Sequence, residues 1–177
     1  MTHYRSRRMV VKGDEAAVRA FADQHGWTID ASDPREISWA AGPGVSLQYI
    51  VDPLSLVEYV VLSGNEQSAV EQTTRIVADK APIWTLDELL ADVSDGPERA
   101  AAVARAGVGG PDEYDERFFA CITTAMKDPD TAVREAALYA TAYSAYPQYH
   151  DRLVEVAQTD PDPERQEDAD LILESFD

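Results

Sequence analysis

The tripeptide Asp-Pro-Asp stands at 128–130 and recurs at 160–162, 32 residues later. A recurring unit of that size is one supersecondary element that cannot bury its apolar face alone, so successive copies must stack. The residue ahead of a proline avoids the α region, so an incoming helix must stop at each tripeptide. Asp128 can then cap the next helix by accepting from its free N–H groups, and Pro129 suits a first turn. A looser copy, "DGPERAAAVARAGV", starts at Asp95, 33 residues before Asp128. Each copy follows an apolar helix: "LDELLADV", "DERFFACITTAM" and "HDRLVEVA". The unit is helix, turn, helix, three times over. It opens at "TLDE", a capping box in which the Thr85 hydroxyl caps and Glu88 reaches back. The pattern predicts an all-helical region over 85–177 with breaks at Asp95, Asp128 and Asp160.

Residues 1–84 follow a different period. "RRMVVK", Arg7 to Lys12, is a short strand. "GDEAAVRAFADQHGW" is a helix capped by Asp14, with Ala17, Val18, Phe21 and Ala22 as its apolar stripe. "EISWA" puts Ile37 and Trp39 on one face. After the turn "AGPG", "VSLQYIV" does the same with Val45, Leu47, Tyr49 and Val51. "LVEYVVLSG" is a further strand, and "NEQSAVEQTTRIVADKA" a helix with Val70, Thr73, Thr74 and Val77 inward. The order β-α-β-β-β-α predicts an antiparallel sheet with helices on one face. The fold class expected is therefore α+β: a sheet-and-helix module over 1–84, then about three helix pairs over 85–177.

Residues 85–177 resemble HEAT repeats, through Asp128, Pro129, Asp130, Val133, Arg134, Ala137 and Ala140 in the middle copy. Thr141 stands where that family usually has leucine. In the last copy Ala169, Ile172, Leu173 and Phe176 keep register, while Arg165 and Gln166 replace the Val-Arg pair. Ala100, Ala101 and Ala104 fit the first copy loosely. The resemblance implies a short right-handed stack whose second helices line a concave, partner-binding side. It also implies a structural Arg134 that bonds acidic loop residues of neighbouring repeats, and no catalytic chemistry.

Tyr139, Tyr143 and Tyr146 follow at spacings of four and three. On a helical wheel they lie together, about a third of a turn from the small-residue face Val133, Ala136, Ala137, Ala140 and Ser144. Amphipathic rings there suit an interface, and they equally suit packing against a neighbour. Glu167, Asp170 and Glu174 share a face of the last helix.

Charge bears on partners. The chain of 177 residues carries a net −18. Residues 1–84 hold 8 Lys and Arg against 11 Asp and Glu, and residues 85–177 hold 7 against 22, so the excess is −3 and −15. Such a field repels phosphate backbones and anionic membranes and steers cationic partners. No stretch suits a signal peptide or membrane span, and the single cysteine, Cys121, suits a reducing compartment; a cytoplasmic protein is expected. Metal ligands are not spaced as sites. Tyr139 and Leu171 stand where a calcium loop needs its bidentate Glu, and His3, His25 and His150 form no zinc pattern. "GVGG" at 107–110 precedes acidic residues and reads as a linker, not a phosphate loop. The α-β-β-β-α order matches a double-stranded-RNA-binding domain, but its second helix lacks the basic cluster.

The expected function is non-enzymatic binding of a protein with a basic surface, without cofactors, nucleic acid or membrane. One version is an immunity or antitoxin-type inhibitor of a cationic toxin. Tyr139, Tyr143, Tyr146, Glu167, Asp170 and Glu174 are the candidate contact residues, with Arg134, Asp128 and Asp160 structural. Alternatives are a scaffold or adaptor, and a small-molecule binder or enzyme using a cleft, lined by Trp84, between sheet and helices.

Overall fold

Strand β6 (Glu58–Gly64) organises the first half of the chain, because β-branched and aromatic residues fill it and every neighbour runs antiparallel to it. The computed structural model describes residues 2–95 and 98–176. Two compact units divide the chain, Met1–Thr85 and Leu86–Asp177.

In the first unit β1 (Tyr4–Arg5) and β2 (Met9–Val10) both pair with one edge of β6. On its other side follow β5 (Val45–Val51), β4 (Glu36–Gly42) and β3 (Thr28–Ser32). Alternation decides the faces: Ile37, Trp39, Ala41, Val45, Leu47 and Tyr49 are buried in one cluster. Helices α1 (Glu15–Gln24) and α2 (Gln67–Lys80) add Val18, Phe21, Ala22, Val70 and Val77 to the same cluster. Trp39 and Tyr49 are buried beside these aliphatic groups, and burial of apolar surface contributes roughly 25 cal/mol per Å².

Several local expectations change. Strand pairing in "RRMVVK" contracts to Met9–Val10, with Val11 bridged only to Ile83. Strand β3 was not legible in the sequence, because all five of its residues are exposed and show no inward alternation. Helix α1 stops at Gln24 rather than reaching Trp27. Gly26 takes φ +68, its N–H donates to Asp23 O, and the Trp27 N–H donates to Ala22 O at 3.0 Å. That pair of bonds closes the helix and needs a residue without a Cβ at its left-handed position.

The second unit is built of helices and turns, with no strand among its described residues. It comprises α3 (Leu86–Asp95), α4 (Arg99–Gly109), α5 (Glu116–Ala125) and α6 (Thr131–Ser144). A 3-10 turn (Pro147–Tyr149), α7 (His150–Thr159) and α8 (Pro163–Leu173) follow. Helix α3 packs on α4, α5 on α6 and α7 on α8, and the second members adjoin in a row, α4 on α6 and α6 on α8.

The caps sit two residues later than the repeat suggested. Asp130, not Asp128, caps α6 by accepting from Ala132 N at 2.9 Å. Asp162, not Asp160, caps α8 by accepting from Glu164 N at 3.0 Å, with Pro163 in its first turn. Each earlier aspartate instead accepts from the N–H of the capping residue itself. A proline between two aspartates thus closes one turn and hands the cap to the second carboxylate. The buried stripe of α6 is Val133, Arg134, Ala137, Leu138, Ala140 and Thr141. Ala136 and Ser144 are only half-buried, so the stripe is rotated from the small-residue face read from the sequence.

Helices α4 and α6 approach closely at Gly107. A Cβ there would lie 2.4 Å from Ala140 Cβ and 2.7 Å from Ala140 Cα. Ala exceeds Gly in helix propensity by about 1 kcal/mol, but overpacking between two helix backbones costs about 1–3 kcal/mol. Gly107→Ala is therefore expected to lower the melting temperature. A melt at or above that of the wild type would mean that the two helices separate freely.

Candidate functional site

Arg134 is one of the buried charged residues of the helical unit, 6 % exposed, with Asp160 and Arg165. Its place on the inner face of α6 forces a set of acceptors around it. Nε donates to Asp160 Oδ2 at 2.9 Å and Nη2 to Asp160 Oδ1 at 3.1 Å, a bidentate pair. Nη1 donates to the Asp128 carbonyl at 3.0 Å and to the Pro129 carbonyl at 3.3 Å. One guanidinium thus ties the turn at 128–130 to the turn at 160–162. Asp128 is engaged from α4: its Oδ2 forms an ion pair with Arg99 Nε at 2.9 Å. One repeat later Gln166 Nε2 donates to the Asp160 carbonyl at 2.7 Å, the bond that Arg134 makes to Asp128.

The three tyrosines separate. Tyr146 is 2 % exposed, and its hydroxyl donates to the Pro111 carbonyl at 2.7 Å. It belongs to the interior and is withdrawn from the contact residues. Tyr149, which the sequence reading passed over, is also fully buried and stacks on Tyr146 at 5.3 Å. Phe119 and Tyr114 complete the aromatic group. Burial pushes the Tyr149 hydroxyl well above its ordinary pKa. Tyr139 and Tyr143 are half-buried. Burial first, then the carboxylates of Asp168 and Glu135, raise the Tyr139 pKa, with Arg165 pulling the other way.

Those last three residues form an ion cluster between α6 and α8. Arg165 is buried, with Nη1 2.9 Å from Glu135 Oε1 and Nη2 3.1 Å from Asp168 Oδ2. Glu164 adds a third carboxylate at 3.5 Å. Three acids around one guanidinium leave an excess of negative charge. The cluster is also imperfectly bonded: Arg165 Nε is buried with no acceptor, and Asp168 Oδ2, although close to Arg165, is out of line for a hydrogen bond. Sequence reasoning noted Arg165 only as a departure from pattern. The usable signal was register, since Arg165 stands 32 residues after the buried Val133, and an arginine at a core position needs carboxylates beside it. Glu167, Asp170 and Glu174 are exposed and make no ion pair among the described residues.

Comparisons with family models, with characterised proteins and with solved structures found no match. Among the described residues no helix is long and apolar enough to cross a membrane. Cys121 is half-buried, and burial raises its thiol pKa, which disfavours the reactive thiolate. Trp84 lies against Lys12, whose ammonium is 5.5 Å from the ring centroid.

Removing Arg134 leaves a buried carboxylate at Asp160 without its counter-charge, so Arg134→Ala is expected to destabilise by about 3–5 kcal/mol. Chemical denaturation measures it; a loss below about 1 kcal/mol would mean that water replaces the guanidinium. The tyrosines should divide in the same assay. Tyr146→Ala is expected to cost about 3–5 kcal/mol, as for a fully buried ring. Tyr139→Ala with Tyr143→Ala should together cost about 1–2 kcal/mol, because half-buried rings lose less area. Equal losses would place all three in the core.

Proposed function

We propose that residues 85–177 form a short HEAT-like stack that binds a protein with a basic surface. The row of second helices α4, α6 and α8, and the bonds from Arg134 to two successive turns, support the stack. The observation that carries the binding reading is the cluster beside Tyr139. Glu135, Glu164 and Asp168 share one arginine next to a half-exposed aromatic ring. A lysine or arginine from a partner would gain carboxylate pairing and a ring face together there. The exposed Glu167, Asp170 and Glu174 extend the negative surface along the same helix and its end, which favours rapid encounter with a cationic partner. An immunity-type inhibitor of a cationic toxin is the concrete form of this reading, and the acidic surplus of residues 85–177 supports it.

The test is affinity capture from the native cell with three forms of the chain: wild type, Tyr139→Ala/Tyr143→Ala, and Glu167→Gln/Asp170→Asn/Glu174→Gln. A basic protein should bind the wild type at low salt and leave at about 1 M salt, where the Debye length falls to about 3 Å. The tyrosine pair should weaken binding by about 2 kcal/mol or more, as for interface anchors. The charge triple should mainly slow association. A partner indifferent to salt and to both variants would end this reading.

A further inference from the structure

The connection from β5 to β6, Asp52 to Val57, holds two leucines in water: Leu54 is 57 % exposed and Leu56 70 %. Leu56 also takes φ +57, the left-handed region, where a Cβ crowds the following carbonyl. Glycine or asparagine is the ordinary occupant of such a position. Ala145, the other left-handed residue with a side chain among those described, is small and closes α6. Neither backbone preference nor burial within the chain accounts for a leucine at 56.

The loop is fixed by its own bonds. The Asp52 N–H donates to Val57 O, and the Leu56 N–H to Asp52 O, both at 3.0 Å. The Asp52 carboxylate is buried, and its Oδ1 accepts from Leu54 N at 3.0 Å, Ser55 N at 2.8 Å and Ser55 Oγ at 2.9 Å. Ser55 Oγ in turn accepts from Val57 N at 3.3 Å. Strained backbone persists where surrounding bonds over-determine it, and such positions cluster at functional contacts. Ser55 is drawn inward, while the leucines on either side of it stay exposed. A backbone held ready in this way loses little freedom when a partner binds.

We propose that Leu54 and Leu56 form a preset apolar knob that seats in an apolar pocket of a different protein. Burial there removes from water the apolar area that this chain leaves exposed. Charge selects the occupant. Residues 52–58 hold Asp52 and Glu58 and neither lysine nor arginine, so the loop offers an anionic bilayer no counter-charge. A second copy brings its own −18 to the contact, a repulsion that a partner of different sequence avoids.

The experiment places a photo-reactive benzophenone in the full chain at position 54, in the native cell, and identifies the cross-linked product by mass spectrometry. One protein of different sequence is expected. The same group at Ile29, an exposed apolar residue of β3, should not give that product. Leu56→Asn should reduce the cross-link at least tenfold, and Leu56→Met, which keeps an apolar side chain, should retain it. Leu56→Asn should also melt about 2–4 °C above the wild type, because asparagine relieves the left-handed strain. No protein product, a lipid or a second copy as the product, the same product from position 29, or a cross-link undiminished by Leu56→Asn would each overturn the proposal. So would a Leu56→Asn melt below that of the wild type, since packing within the chain would then account for the leucine. Salt-sensitive capture by the helical unit is a separate readout, so either result stands without the other.

Discussion

The bond between Arg134 and Asp160 is the constraint on which the helical unit depends. A guanidinium and a carboxylate are both taken out of water there, at 7 % and 3 % side-chain exposure. That desolvation is offset only when geometry is good and the remaining donors find acceptors. Both conditions hold: the pair is bidentate, and the carbonyls of Asp128 and Pro129 take the other nitrogen. The neighbouring Arg99–Asp128 pair repeats the Nε to Oδ2 contact at the same 2.9 Å, but Arg99 is 44 % exposed. Water screens that pair, so it is worth at most about 1 kcal/mol. One arrangement thus occurs at two depths, and only the inner one locks successive turns.

This accounts for the periodic aspartates better than capping does. Asp128 and Asp160 each receive a cation from the second helix of the preceding pair and order the turn that ends in the true cap. The first carboxylate of each tripeptide joins units; the second starts a helix. Proline between them fixes the separation.

Electrostatics divides the two units by chemistry. In the helical unit every cation is already paired, so the surplus carboxylates cannot be neutralised internally and face outward as a field. The sheet unit is nearly balanced in sequence, with 8 Lys and Arg against 11 Asp and Glu over residues 1–84.

Sequence alone determined where the helices of the second unit lie and which strands of the first carry the core. Periods of 3.6 and 2 and the proline punctuation are local properties, readable without a fold. Trp39, Leu47 and Val77 were legible for that reason. Tertiary structure decided what local pattern cannot express. Strand β3 exists through pairing with β4 and has no buried face to announce it. Tyr146 left the wheel it was placed on because α6 ends at Ser144 and Ala145 turns left-handed at φ 46, which sends the ring inward onto Tyr149. Arg165 drew Glu135 from another helix into its cluster, a contact across 30 residues of chain. Helical spacing predicts neighbours within one helix; which charges meet between helices depends on how the helices pack, and that is set by side chains far apart in the sequence.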